Sequence, residues 1–157
     1  MFRFCFESIL RASPEDVYAF HARPDALSLL LPPWPPARVL ERKGGLEAGA
    51  FTVIRMGYEP FGCNWTAVHT ECIPNVLFTD EQQRGPFRYW RHRHLFIRQE
   101  DGGCLLRDEV TCALPFGLDW LVRPLLQWQL NQMFIRRHAV TARHVETPFR
   151  EASCSGV

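Results

Sequence analysis

Residues 85–117, GPFRYWRHRHLFIRQEDGGCLLRDEVTCALPFG, constrain the fold more than any other stretch of this chain. They read as two strands joined by a turn at Asp101, Gly102 and Gly103. On the first strand, alternate residues form two different sets. Tyr89, Arg91, Arg93, Leu95 and Ile97 share one face, and Trp90, His92, His94 and Phe96 share the other. Arginines are costly to bury unpaired, so their face should be wet. That turns Trp90, His92, His94 and Phe96 inward. Two imidazoles between aromatics suit a cavity that holds something better than they suit a plain core.

The rest of the chain supplies the frame. Residues 1–9 alternate as a strand, with Phe2, Phe4 and Phe6 on one face. Ser13, Pro14, Glu15 and Asp16 form a strong helix start: a cap, a first-turn proline and two acids that complement the dipole. Arg23 and Pro24 end that helix, and residues 25–31 can form a second short one. Pro32, Pro33, Trp34, Pro35 and Pro36 make a stiff, extended connector. Strands are expected near 37–43, 49–58, 62–72, 76–84, 87–99 and 104–114. Their short connections favour an antiparallel meander. Pro124 suits a first helical turn, so a short turn over 118–123 should precede a long helix from 124 to 145. Leu121, Leu125, Trp128, Gln132 and Ile135 lie along one stripe of that helix, flanked by Leu126, Leu130, Met133 and Phe134. So wide an apolar arc calls for cover, and Trp120 and Trp128 are expected as core or helix–sheet contacts. One domain is expected over 1–147, with a disordered tail over 148–157.

Composition narrows the function classes. With 157 residues, 46% hydrophobic and 22% charged, the chain can bury a substantial core. A net charge of +1 gives no reason to expect a nucleic-acid partner. Seventeen arginines against the single Lys43 reflect coding usage more simply than function. The first residues lack the apolar core of a signal peptide, and no run approaches the ~20 apolar residues of a membrane span. A cytoplasmic protein without stable membrane insertion is therefore expected. Six cysteines without a CxxC pair argue against a structural zinc site, and that compartment argues against disulfides. Most of the thiols are expected to be small core hydrophobes. The last four residues have prenylation spacing without its aliphatic middle, and Asn64-Trp65-Thr66 has no meaning as a glycosylation acceptor in the cytosol.

The order strand, two short helices, six strands, long helix resembles the START-like superfamily, also called SRPBCC or helix-grip. The likeness is nearest to a bacterial cyclase/dehydrase-type ligand-binding subgroup. It rests on the helix start at Ser13 to Asp16, the His21–Pro24 segment, the Pro32–Trp34 connector, Trp65 with His69, the Gly85–His94 strand, and Asp108 on the next. It spans roughly residues 1–145. The resemblance implies an α+β fold: a curved antiparallel sheet of about seven strands around a long C-terminal helix, with two short helices after strand 1. It also implies a cavity for a hydrophobic ligand, and no set of catalytic residues. Similar domains are sometimes fused to a sugar-nucleotide-epimerase-like domain, which this chain is not expected to carry.

Within that frame, Trp65, His69, Trp90, His92, His94 and Asp108 are the expected ligand-binding lining. Aromatic and apolar area would supply affinity, and the histidines and Asp108 would orient a polar end. The expected partner is a small hydrophobic or amphipathic molecule, carried or sensed. No protein partner can be named. A second hypothesis is a polyketide cyclase or dehydratase using Asp108 and a histidine as acid and base. A third is an interaction module beside an epimerase-like or membrane-associated partner, with an apolar patch near Trp34. His92 and His94 could share a metal with His69, Asp108 or Asp80 as a third ligand. The preferred reading is a hydrogen-bonded polar patch with no metal and no cofactor. Arg88, Arg91, Arg93 and Arg98 are expected to form a solvated face paired with Glu81 or Glu109.

Overall fold

The computed structural model describes residues 1–33, 35–115 and 119–146, with only the backbone described over 119–121. The expected tail over 148–157 and the expectations for Trp34 and for the Trp120 and Leu121 side chains lie outside that description. In chain order the elements are β1 (Phe2–Leu10), α1 (Pro14–Ala22), α2 (Ala26–Leu30), β2 (Ala37–Lys43), β3 (Phe51–Met56), β4 (Cys63–Ile73), β5 (Leu77–Arg84), β6 (Tyr89–Arg98), β7 (Cys104–Ala113) and α3 (Asp119–Val145). This is the helix-grip architecture.

The strands form one antiparallel seven-stranded sheet in the order β1-β7-β6-β5-β4-β3-β2. The chain therefore crosses the whole sheet between β1 and β2, and α1 and α2 occupy that crossing. Ser13 caps α1 by accepting the backbone N–H of Asp16 at 3.2 Å. The β6–β7 turn closes through Gly102, whose φ of +86° favours glycine.

Alternation holds along β1, β6 and β7. Phe2 and Leu10 of β1 are buried, and Arg3, Cys5, Glu7 and Ile9 between them are exposed. Trp90, His92, His94 and Phe96 are buried on β6, as are Leu106, Asp108 and Val110 on β7. On the outer face Arg91 pairs with Glu81 at 3.3 Å and Arg93 with Glu109 at 3.2 Å, the solvated pairing expected. The register between β4 and β5 shifts between His69 and Glu71. One extra residue reverses strand parity. His69 can therefore face inward opposite Asp80, while Glu71 faces outward to accept the Thr79 hydroxyl at 3.1 Å.

Three sequence expectations need correcting. Helix α3 begins at Asp119 rather than 124, with Pro124 inside it. The lost backbone bond is one rung near the helix start, where the ladder is only beginning. The covered face of α3 is also not the expected stripe. Leu125 is 63% exposed, Trp128 56% and Ile135 47%, whereas Leu130, Phe134, His138 and Thr141 are buried. The flanking set thus points at the sheet, where Leu130 and Phe134 join Phe2, Trp90, Val110 and Cys112. Finally, Cys104 and Cys112 are core residues, but Cys5 and Cys63 are exposed. Cys5 lies on the arginine-bearing outer face of β1, where neighbouring charges keep water close.

Candidate functional site

A cavity of about 480 Å³ opens between the concave face of the sheet and helices α2 and α3. Strands β3 to β6 form its wall, and Leu27, Leu31 and the 93% exposed Phe61 stand around it. Trp65, His69, Trp90, His92 and His94 all line it. Trp65 and Trp90 meet edge to face, with centroids 4.9 Å apart. Their indole nitrogens and His69 Nδ1 are buried without a hydrogen-bond partner among the described residues. The two indole N–H groups are buried donors that need an acceptor.

Asp108 does not line the cavity; it lies behind the imidazoles. Its Oδ1 is 2.6 Å from His92 Nε2 and 2.8 Å from His94 Nδ1, the second contact off the hydrogen-bonding direction. Its Oδ2 is 2.5 Å from His138 Nε2 on α3. All four residues are only 3% exposed. The expected place of Asp108 on the lining is therefore corrected: the rings on β6 and α3 cover it. On the other side of the rings, Asp80 Oδ2 lies 3.2 Å from His94 Nε2 and 3.5 Å from His92 Nδ1. Asp80 faces the cavity. Ligand atoms of Asp80, His92 and His94 all fall within 4.8 Å of one another.

The strands place this cluster. His92 pairs with Asp80 on β5, His94 pairs with Asp108 on β7, and Asp80 pairs with His69 on β4. Apolar groups bracket it along β6. Trp90 belongs to the cluster around Phe134 and Val110, and Phe96 to that around Phe78 and Leu106. The His94 ring stacks on Phe78 at 4.0 Å.

Burial and pairing compete in setting the charges. Burial pushes the Asp108 carboxyl up, but neighbouring His94 and the bonds from His138 and His92 hold it well below the usual carboxylate range. Burial likewise opposes ionisation of Asp80, and His92 and His94 outweigh it, bringing its pKa to about 2. For His94, burial favours the neutral ring, yet the two carboxylates raise its pKa. For His92, burial and then repulsion by His94 prevail, and its pKa falls. His21 on α1 is buried beside this group, its Nδ1 donating to the Val17 carbonyl at 2.8 Å, and burial lowers its pKa to about 3.

Sequence reasoning missed His138 and gave Asp80 only a supporting place. His138 follows Phe134 by four residues on the inner face of α3, so helical spacing from Leu130 and Phe134 was the available signal.

Residues 10–137 match the family described as polyketide cyclase / dehydrase and lipid transport. The chain belongs to this family. Solved structures show the same START-like, SRPBCC fold. The nucleoside-diphosphate sugar epimerase of Corynebacterium glutamicum is 26% identical with a TM-score of 0.72, over 89% of this chain and 28% of that one. The di-domain ARO/CYC StfQ from the steffimycin biosynthetic pathway is 15% identical with a TM-score of 0.72, over 92% of this chain and 50% of that one. Norcoclaurine synthase of Thalictrum flavum, in complex with dopamine and hydroxybenzaldehyde, is 14% identical with a TM-score of 0.70, over 92% and 87%. No curated protein matches the sequence. Among the described residues no helix is long and apolar enough to cross a membrane.

Proposed function

We propose that this protein binds a small hydrophobic or amphipathic molecule in the cavity between the sheet and α3, as a carrier or sensor. The observation that carries the reading is the contrast within one cavity. Its walls are largely aliphatic and aromatic, and Asp80, His69, His92 and His94 form one contiguous polar group on the sheet, besides His21, Arg42, Thr52, Gln129 and Arg137 on the lining. Apolar surface would supply affinity, and the polar cluster would fix the orientation of one end of the ligand. Trp65, His69, Trp90, His92 and His94 are the contact residues in this reading, with Asp108 holding His92 from behind. A family described by both cyclisation and lipid transport supports a ligand cavity.

Native mass spectrometry of freshly purified protein, followed by organic extraction, tests the reading. An extractable organic molecule at near one per chain is expected. If no molecule is retained, and if titrations with fatty acids and polycyclic aromatics leave Trp65 and Trp90 fluorescence unchanged, the reading fails.

One observation favours a second reading, an acid–base enzyme of the cyclase or dehydratase kind. His92 faces the cavity with a buried carboxylate 2.6 Å behind it. Asp108 would then act through His92, which would be the group touching substrate. Turnover of an aromatic polyketide-like substrate that His92→Gln abolishes would select this reading over carriage.

A further inference from the structure

We propose that Asp80, His92 and His94 form a site for one divalent first-row transition-metal ion, open to the cavity. The donor atoms already converge. Asp80 Oδ2 is 3.2 Å from His94 Nε2 and 3.5 Å from His92 Nδ1, and one ligand atom of each residue lies within 4.8 Å of the other two. Zinc bonds of ~2.0–2.1 Å in a tetrahedron place neighbouring donors ~3.3 Å apart. The two Asp80 distances bracket that spacing.

The far sides of the same rings make the stronger argument. His92 Nε2 and His94 Nδ1 both abut Asp108 Oδ1, at 2.6 and 2.8 Å. A carboxylate hydrogen-bonded behind a ligating imidazole is the usual outer shell of a metal site, because it fixes ring orientation and tautomer, and Asp108 does this for His92. A neutral His92 that donates from Nε2 to Asp108 presents Nδ1 as a lone pair. In that tautomer the lone pair faces the Asp80 carboxylate across 3.5 Å. A cation at this point turns the opposition into two bonds.

The scaffold is suited to the task. Asp80 and His92 are register partners on adjacent central strands, so neither depends on a loop. His69 pairs with Asp80 from β4, and its unpartnered Nδ1 makes it the candidate fourth donor. Two imidazoles and a carboxylate suit zinc or iron(II) rather than a soft copper(I) site. Positions left open toward the cavity would take water or an oxygen of the ligand's polar end. That last role rests on the proposed ligand cavity; the metal site itself does not.

The test uses the full chain in a Cys5→Ser, Cys63→Ser background, stripped with chelator and dialysed. It is titrated with zinc chloride by calorimetry and with cobalt(II) by visible absorption. One ion per chain is expected, with nitrogen and oxygen ligation and no thiolate charge-transfer band. Asp80→Asn and His94→Gln should each weaken binding at least tenfold, and Asp108→Asn about 10–100-fold through loss of the outer-shell carboxylate. Circular dichroism checks that each variant is folded. X-ray absorption of the zinc-loaded protein, which needs no site variant, should show at least two imidazoles. No saturable binding, a thiolate signature, fewer than two imidazoles, or undiminished affinity in folded Asp80→Asn would each overturn the proposal. Loss of lipid and aromatic binding with the metal retained would instead count against the cavity reading alone.

Discussion

The cluster around Asp108 should be a major support of the fold, and Asp108→Asn isolates its contribution. Asparagine nearly matches aspartate in volume, so the substitution leaves no cavity and changes only charge and hydrogen bonding. Asp108 is 3% exposed and holds His92 through one oxygen and His138 through the other. Asparagine keeps one acceptor oxygen and presents an amide N–H to the second ring. At least one charge-assisted bond is lost, worth about 1.5–3 kcal/mol, and a buried donor goes unsatisfied at about 1–3 kcal/mol more. The sum, about 2.5–6 kcal/mol, brackets the general cost of breaking a buried ion pair, about 3–5 kcal/mol, which is the loss expected. For a chain of this size each kcal/mol moves Tm by about 2–4 °C, so a fall of roughly 6–20 °C is expected. Urea denaturation with chelator present gives the free-energy change directly. Glu109→Gln is the control. It is the adjacent residue on the opposite face, paired with Arg93 at 3.2 Å in partial solvent, and should cost less than about 1 kcal/mol. If the two variants lose the same small amount, the network does not hold α3 to the sheet and the reasoning is wrong.

Phe134 is fully buried and stacks on Phe4 with centroids 5.6 Å apart, so Phe134→Ala should cost about 3–5 kcal/mol in urea denaturation. Trp128→Ala, at a residue 56% exposed, should stay within about 1 kcal/mol; the reverse ranking would mean α3 is rotated. Ala67→Phe projects a ring into the cavity from β4 and should weaken binding of an apolar fluorescent probe about tenfold while the melting temperature holds; unchanged binding would place the ligand elsewhere. Burial raises the Cys104 thiol from 9.0 to about 11. The unfolded chain therefore loses that proton first, and the Cys104 contribution to stability should fall between those pH values. Replacing Cys104 with alanine should flatten that part of the pH–stability curve. Alkylation mapped by mass spectrometry should mark Cys5 and Cys63 quickly and Cys104 only on unfolding.

What the sequence reveals depends on how many orientations an element can choose between. A strand has two faces, and on β6 the arginines exclude one of them. That single exclusion places Trp90, His92, His94 and Phe96 inward, and antiparallel pairing brings Asp108 to the same side opposite His94. A helix with a wide apolar arc has no such binary choice. Leu125, Trp128 and Ile135 satisfy helical spacing as well as Leu130 and Phe134 do, and only the partner surface decides between them. His138 was missed for this reason, since its meaning depends on which arc meets the sheet. Asp80 was obscured differently. Its strand alternates no more clearly than an outer one, and the parity change after His69 cannot be read without the register.

The two buried carboxylates give the cluster a direction. Asp108 is enclosed by three imidazoles and cannot reach a ligand, whereas Asp80 shares the same two β6 rings and opens to the cavity. His92 and His94 therefore stand between a closed anion and an open one. Any group that enters, whether a ligand's polar end or a metal ion, meets rings whose orientation has already been set from behind. The ordering cost of that arrangement falls on folding rather than on binding. Asp108→Asn should accordingly weaken binding at the open face even though Asp108 touches nothing there. A ligand titration of folded Asp108→Asn, read beside one of Asp80→Asn, separates the two effects. Loss in Asp80→Asn alone would show that the back of the cluster serves stability only.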